Sequence, residues 1–100
     1  MAAILKTGTV ITVAAAGTRV QFPVVDRVVK VYLYGPSGNT GIMYVGDVTV
    51  AATNGIPVVK SVAPVTIDAP EGQVIDLTTL YVDAATSGDK IAYSYLQLTN

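Results

Sequence analysis

Short runs dense in valine, isoleucine, threonine and tyrosine recur along the chain, and clusters of Gly, Pro, Asn, Asp and Ser separate them. β-Branched and aromatic residues fit a pleated, half-buried surface, and the separating residues are those that turns require. The pattern predicts strands at Thr9–Ala14, Thr18–Phe22, Val28–Tyr34, Ile42–Val45, Val48–Ala51, Val58–Val62, Val65–Asp68, Leu80–Asp83 and Lys90–Leu98, and no helix worth naming. Turns are expected at Gly17, Gly35–Gly41, Gly46-Asp47, Asn54-Gly55, Ala69–Gly72 and Ser87–Asp89. Asn54-Gly55 reads as the sharpest, because both residues tolerate positive φ and suit a tight primed turn. Eight or nine short strands at this spacing predict one all-β domain over residues 1–100. The expected architecture is a single antiparallel β-sandwich of jelly-roll type, with a closed barrel as the other solution.

Several strands lack a wet face. In Val28–Tyr34, strict alternation puts Val29, Val31 and Leu33 on one side and Val28, Lys30, Tyr32 and Tyr34 on the other, so both sides are mostly apolar or aromatic. The closing strand repeats this, with Ile91, Tyr93 and Tyr95 opposite Ala92, Ser94 and Leu96. The segment Ile56–Val65 is similarly apolar, and Pro57 and Pro64 confine it to edges or bends. A strand with one solvated side alternates apolar and polar residues, so the second apolar face is expected to meet a partner. Tyr32, Tyr34, Tyr93, Tyr95, Val58 and Val59 are the candidate partner-contact residues. Ordinary core packing is the competing reading for each, since Tyr suits both settings.

Composition strengthens the expectation of association. Hydrophobic residues make up 51% of the chain and charged residues 13%, about half the charged share of an average domain. Six cations are scattered and the formal net charge is −1, so no basic footprint for nucleic acid exists. The lysine and small-residue run near the start imitate a secretory signal only weakly, because Thr7, Gly8, Thr9 and Thr12 interrupt it. No apolar run is long enough for a membrane helix, and the chain reads as soluble and unprocessed.

Chemistry is sparse. With no His and no Cys, the Ser–His and Cys–His nucleophile pairs and the thiolate and imidazole metal sites are ruled out. The acids Asp26, Asp47, Asp68, Glu71, Asp76, Asp83 and Asp89 fall at turns or strand ends, where solvated carboxylates are expected, and no spacing marks a catalytic pair. Asp68 and Glu71 lack the surrounding pattern of a calcium loop. The Gly35–Gly41 loop lacks the Gly-Lys-Ser/Thr ending of a phosphate loop and leads into a strand, so it reads as a connection between strands. No enzyme activity, metal or cofactor is expected.

One resemblance rests on named residues. Asn39-Thr-Gly-Ile-Met-Tyr-Val-Gly46, the later Thr53-Asn-Gly55, Leu80-Tyr-Val-Asp-Ala84 and the closing Gly88-Asp-Lys-Ile-Ala-Tyr-Ser-Tyr-Leu96 resemble small β-rich virion proteins of tailed bacteriophages, over about two thirds of the chain from Val28 onward. The sequence departs from that pattern at Ile56-Pro-Val-Val-Lys60, where a Pro-Gly-rich approach to the next strand is usual. The resemblance implies a jelly-roll capsid decoration or cement protein, made in the host cytoplasm. It would sit as a homo-oligomer, often a trimer, on the outer surface of the head, bound to the major capsid protein and to neither nucleic acid nor membrane. Another virion part (head fibre, tail or spike) and a carbohydrate- or receptor-binding β-module are the alternatives.

Overall fold

The computed structural model describes residues 2–99 and contains two antiparallel sheets packed face to face. The strands are β1 (Ala3–Thr7), β2 (Ile11–Thr12), β3 (Val20–Gln21), β4 (Val28–Tyr34), β5 (Met43–Gly46), β6 (Ile56–Val58), β7 (Val65–Asp68), β8 (Tyr81–Ala84) and β9 (Lys90–Leu98), with one 3₁₀ turn at Leu77–Thr79 before β8. The first sheet runs β1-β9-β4-β7, and β2 continues along the same edge of β9 as β1. The second runs β3-β8-β5-β6. With β1 and β2 counted as one interrupted strand, the chain crosses between sheets at every connection except the β5–β6 hairpin. That is the order of an eight-stranded jelly roll.

The core lies between the sheets. Val31 and Leu33 of β4 and Ile91 and Tyr93 of β9 face Met43 and Val45 of β5 and Val82 and Ala84 of β8, joined by Phe22, Val58 and Leu77, all buried. The total surface of 5398 Å² matches the roughly 5,400 Å² of a compact monomer of this mass. The chain therefore closes its own core.

Five expectations need correction. Strand β1 lies in the segment read as a failed signal, and the register steps by one between Thr7–Ser94 and Ile11–Ile91, so Gly8–Val10 form a bulge. A second bulge between Val28 and Lys30 breaks the alternation in β4 and turns Val28 into the core, leaving Val29 only half-buried. Val48–Ala51 is a loop: the Asp47 carboxylate accepts from the Thr49 N–H at 2.9 Å and Val50 N–H donates to the Asp47 carbonyl at 3.0 Å, curling a β-branched run into a turn. The tight turn forms two residues early, around Ala52-Thr53, bridging Ala51 to Asn54, whose side chain accepts from Ala51 N–H at 2.7 Å. Gly55 then enters β6 at φ 113°, and a Cβ there would stand 2.9 Å from the Val45 carbonyl oxygen. Finally, Asp83 and Asp89 are buried rather than solvated.

Candidate interaction surface

The register across the first sheet fixes what its outer face presents. Leu5 lies beside Leu96, then Lys30, then Asp68; Thr7 lies beside Ser94, then Tyr32, then Thr66; Ala92 lies beside Tyr34, and Ala3 beside Leu98. No other element among the described residues packs over this side. Leu5 is 65% and Tyr34 39% exposed, while Tyr32, Leu96 and Leu98 are half-buried. The charges in these rows, Lys30 and Asp68, meet each other at 3.4 Å, and the Lys30 ammonium sits 5.4 Å from the Tyr32 ring centroid. The strip is therefore locally neutral, with apolar side chains at Leu5, Leu96, Leu98, Tyr32 and Tyr34.

A groove of about 250 Å³ crosses the strip, walled by Tyr32, Tyr34 and Pro64 on one side and Thr7 and Val10 on the other, with Ala92 and Ser94 at its floor. Its cause is side-chain size. Small residues on the central strand β9 stand between tall aromatics on β4 and the bulge that lifts Val10.

The six residues singled out for partner contact do not lie together. Tyr32 and Tyr34 are on this outer face, and Val59 is exposed on the β6–β7 connection. Val58 is 2% exposed, and it faces the core opposite Met43. Tyr93 is 5% exposed and packs edge-on against Phe22, ring centroids 5.2 Å apart. Tyr95 is half-buried and stacks on Tyr93 at 6.2 Å. Val58 and Tyr93 are thus core residues, a correction whose reason is register: odd-numbered residues of β9 from Ile91 to Tyr95 point inward. Sequence reading missed Leu5, Leu96 and Leu98, which continue the strip and are marked only by their pairing.

Two motifs quoted for the resemblance meet in space. Asn39 is buried, and its side chain donates to the Lys90 carbonyl at 2.7 Å and accepts from Lys90 N–H at 2.8 Å, as a strand partner would. Asp89 returns the contact: its carboxylate accepts from Thr40 N–H at 2.9 Å and Gly41 N–H at 2.8 Å. The glycine-rich loop does cradle an anion, but that anion is the chain's own Asp89. At Gly41 a Cβ would stand 2.7 Å from Thr86 Oγ1, so a larger residue would have to turn the Thr86 hydroxyl aside.

On the second sheet, buried Asp83 accepts from Gly17 N–H at 3.0 Å and Ala84 N–H at 2.8 Å through Oδ1, and its Oδ2 meets no donor among the described residues. Asp76 caps the 3₁₀ turn, and the Thr78 hydroxyl and N–H hold its carboxyl below the ordinary carboxylate value. The Thr49 hydroxyl and N–H do the same for Asp47. Among the described residues no group of three or more His, Cys, Asp or Glu side chains is placed to hold a metal ion.

In comparisons with protein-family models, curated proteins and solved structures, nothing matches the chain.

Proposed function

We propose that this chain is a non-catalytic coat subunit, a capsid decoration protein that self-associates and clamps neighbouring subunits of a tailed-phage head. The observation that carries this reading is the uncovered outer face of the first sheet, where Leu5, Leu96, Leu98, Tyr32 and Tyr34 adjoin with no unpaired charge in their rows. Exposed apolar surface that is contiguous rather than scattered marks an association site. Ile56, Val59 and Val62, all more than 40% exposed on β6 and the loop after it, offer the subunit a second apolar patch. Two patches are what a subunit needs to touch both its own kind and a shell beneath. Jelly rolls serve in capsids and in lectins alike, so the fold supports this role without specifying it.

In a reconstruction of the virion, the chain is expected over the head shell in many copies, with the Tyr32–Tyr34 face against protein. Stripped heads should rebind the purified chain, and Tyr34→Ala should weaken that rebinding about tenfold, the scale of an interface aromatic. A location restricted to the tail vertex, or purified chain that ignores stripped heads, overturns the decoration role.

The groove favours one second reading, a carbohydrate-binding module, because Tyr rings beside the Thr7 and Ser94 hydroxyls could stack on and hydrogen-bond a sugar ring. A glycan array decides it: a reproducible hit abolished by Tyr32→Ala supports this reading, and a blank array removes it.

A further inference from the structure

Each sheet ends in two edges, and three of the four are guarded against pairing. β3 is only two residues long; β6 carries Pro57, which has no N–H to offer; β7 is bracketed by Pro64 and Pro70. β1 is the least guarded: it has neither Pro nor a curtailed length, and only Lys6 and the bulge beyond Thr7 oppose pairing there. It is five residues long, free of Pro and Gly and exposed along its whole length, with Lys6 its one charge.

The backbone of that edge is self-complementary. Gly8 N–H donates to the Tyr93 carbonyl at 2.9 Å and Thr99 N–H to the Ala2 carbonyl at 2.7 Å. In an antiparallel ladder bonded pairs alternate with non-bonded ones, so Ile4 and Lys6 also bond to β9. Ala3, Leu5 and Thr7 direct their N–H and C=O groups to the free edge. These three positions are symmetric about Leu5.

We propose that β1 pairs antiparallel with β1 of a second copy across a two-fold axis through Leu5, joining the two first sheets into one continuous sheet. In that register Ala3 faces Thr7 of the second copy, Leu5 faces its own equivalent, and each outward N–H meets a carbonyl. Lys6 lies opposite Ile4 of the second copy, so the like charges are never directly opposed. On the outer face the leucine row becomes Leu96, Leu5 and their two equivalents. A second copy fits because, in the register centred on Leu5, its own edge sets an apolar leucine opposite the exposed Leu5 and keeps each Lys6 away from its equivalent. This inference rests on the self-association in the reading above and specifies it as two-fold, in place of the trimer the resemblance implies. Its test needs no shell, so either can fail alone.

A five-residue strand is roughly 17 Å long, too little to reach the standard interface of about 1,200–2,000 Å² on its own. The dimer is therefore concentration-dependent. Sedimentation equilibrium of the whole chain up to about 1 mM should reveal a species of twice 10.3 kDa. Leu5→Lys places like charges face to face at the axis and should weaken dimerisation at least tenfold; Leu5→Glu should do the same. Mixing the two should restore a heterodimer, which no loss of folding could mimic. Leu5→Pro removes only an outward N–H and should also give a folded monomer. Wild-type chain that remains monomeric, one that forms trimers, or a dimer indifferent to Leu5→Lys overturns the proposal.

Discussion

Tyr93→Ala should destabilise the folded chain by about 3–5 kcal/mol, the range for removing a buried aromatic from a packed core. The ring is 5% exposed, meets Phe22 edge-on at 64° and stacks on Tyr95 at 24°. It also lies across Gly8, where an added Cβ would stand 2.3 Å from the ring. A glycine opposite an aromatic lets the ring cover the strand backbone, so truncation opens a cavity that Gly8 has no side chain to fill. Against a total stability of about 5–15 kcal/mol, this loss is a fifth or more, and the melting temperature should fall by roughly 12 °C or more. Gly8→Ala strains the same contact from the other side and should cost about 1–3 kcal/mol through overpacking. Tyr34→Ala should stay within about 0.5 kcal/mol of wild type, because its ring stands on the exposed face. Urea unfolding of the three variants checks the assignment. If Tyr93→Ala left the unfolding free energy unchanged and Tyr34→Ala lowered it by several kcal/mol, the inward and outward faces of the sheet would have to be exchanged.

The difference between Tyr93 and Tyr34 also shows what was legible in the chain. Strands β4, β7 and β9 begin and end where the hydrophobic pattern places them, because each is bounded by turn residues and rich in β-branched or aromatic side chains. The all-β sandwich follows from those runs. Which face is inside does not follow, since both faces of β4 and β9 are apolar and only the pairing with β1 and β7 and the opposing sheet break the tie. β1 was invisible for a related reason: Ile4 and Leu5 are adjacent, lie on opposite faces and are both exposed, so no alternation marks the strand. The bulge after Val28 defeats strict period-two reading by inserting one residue, and it exchanges Val28 with Val29 between core and surface. The candidate surface was half legible. Tyr32 and Tyr34 stand out by type, whereas Leu5 and Leu96 become neighbours only through a register linking residues at opposite ends of the chain. Buried acids were illegible altogether, because Asp89 is a turn residue by local context and becomes buried only when the Gly35–Gly41 loop folds over it.

That closure carries the second large effect. Asn39→Ala should cost about 2–4 kcal/mol, since it deletes two hydrogen bonds worth about 1 kcal/mol each and leaves the Lys90 N–H and carbonyl short of partners in a partly buried site. Asp89→Ala should cost at least as much, because hydrogen bonds to a charged acceptor are worth about 1.5–3 kcal/mol each and two N–H groups lose theirs. Asp89→Asn is not a rescue: one of its two terminal atoms becomes an NH₂ donor and confronts the N–H of Thr40 or Gly41. The two residues pin the same pair of loops, so the double variant should fall short of the sum of the singles by about 0.5–3 kcal/mol. Denaturant unfolding supplies the cycle, and amide exchange supplies the location: Thr40, Gly41 and Lys90 should lose protection in either variant, while Val31 and Leu33 in β4 lose only what the lower global stability dictates. Additive losses, or unchanged exchange at Thr40 and Gly41, would mean that the loops are held by something other than this reciprocal pair. The clamp joins the β4–β5 connection to the turn entering β9, and β4 and β9 are the strands that carry Tyr32, Tyr34, Ala92 and Ser94. Loosening it should therefore disturb the groove at its Ala92 end before the leucine row at the other end of the sheet, so sugar or shell binding at Tyr34 should weaken in Asp89→Ala while dimerisation through Leu5 survives.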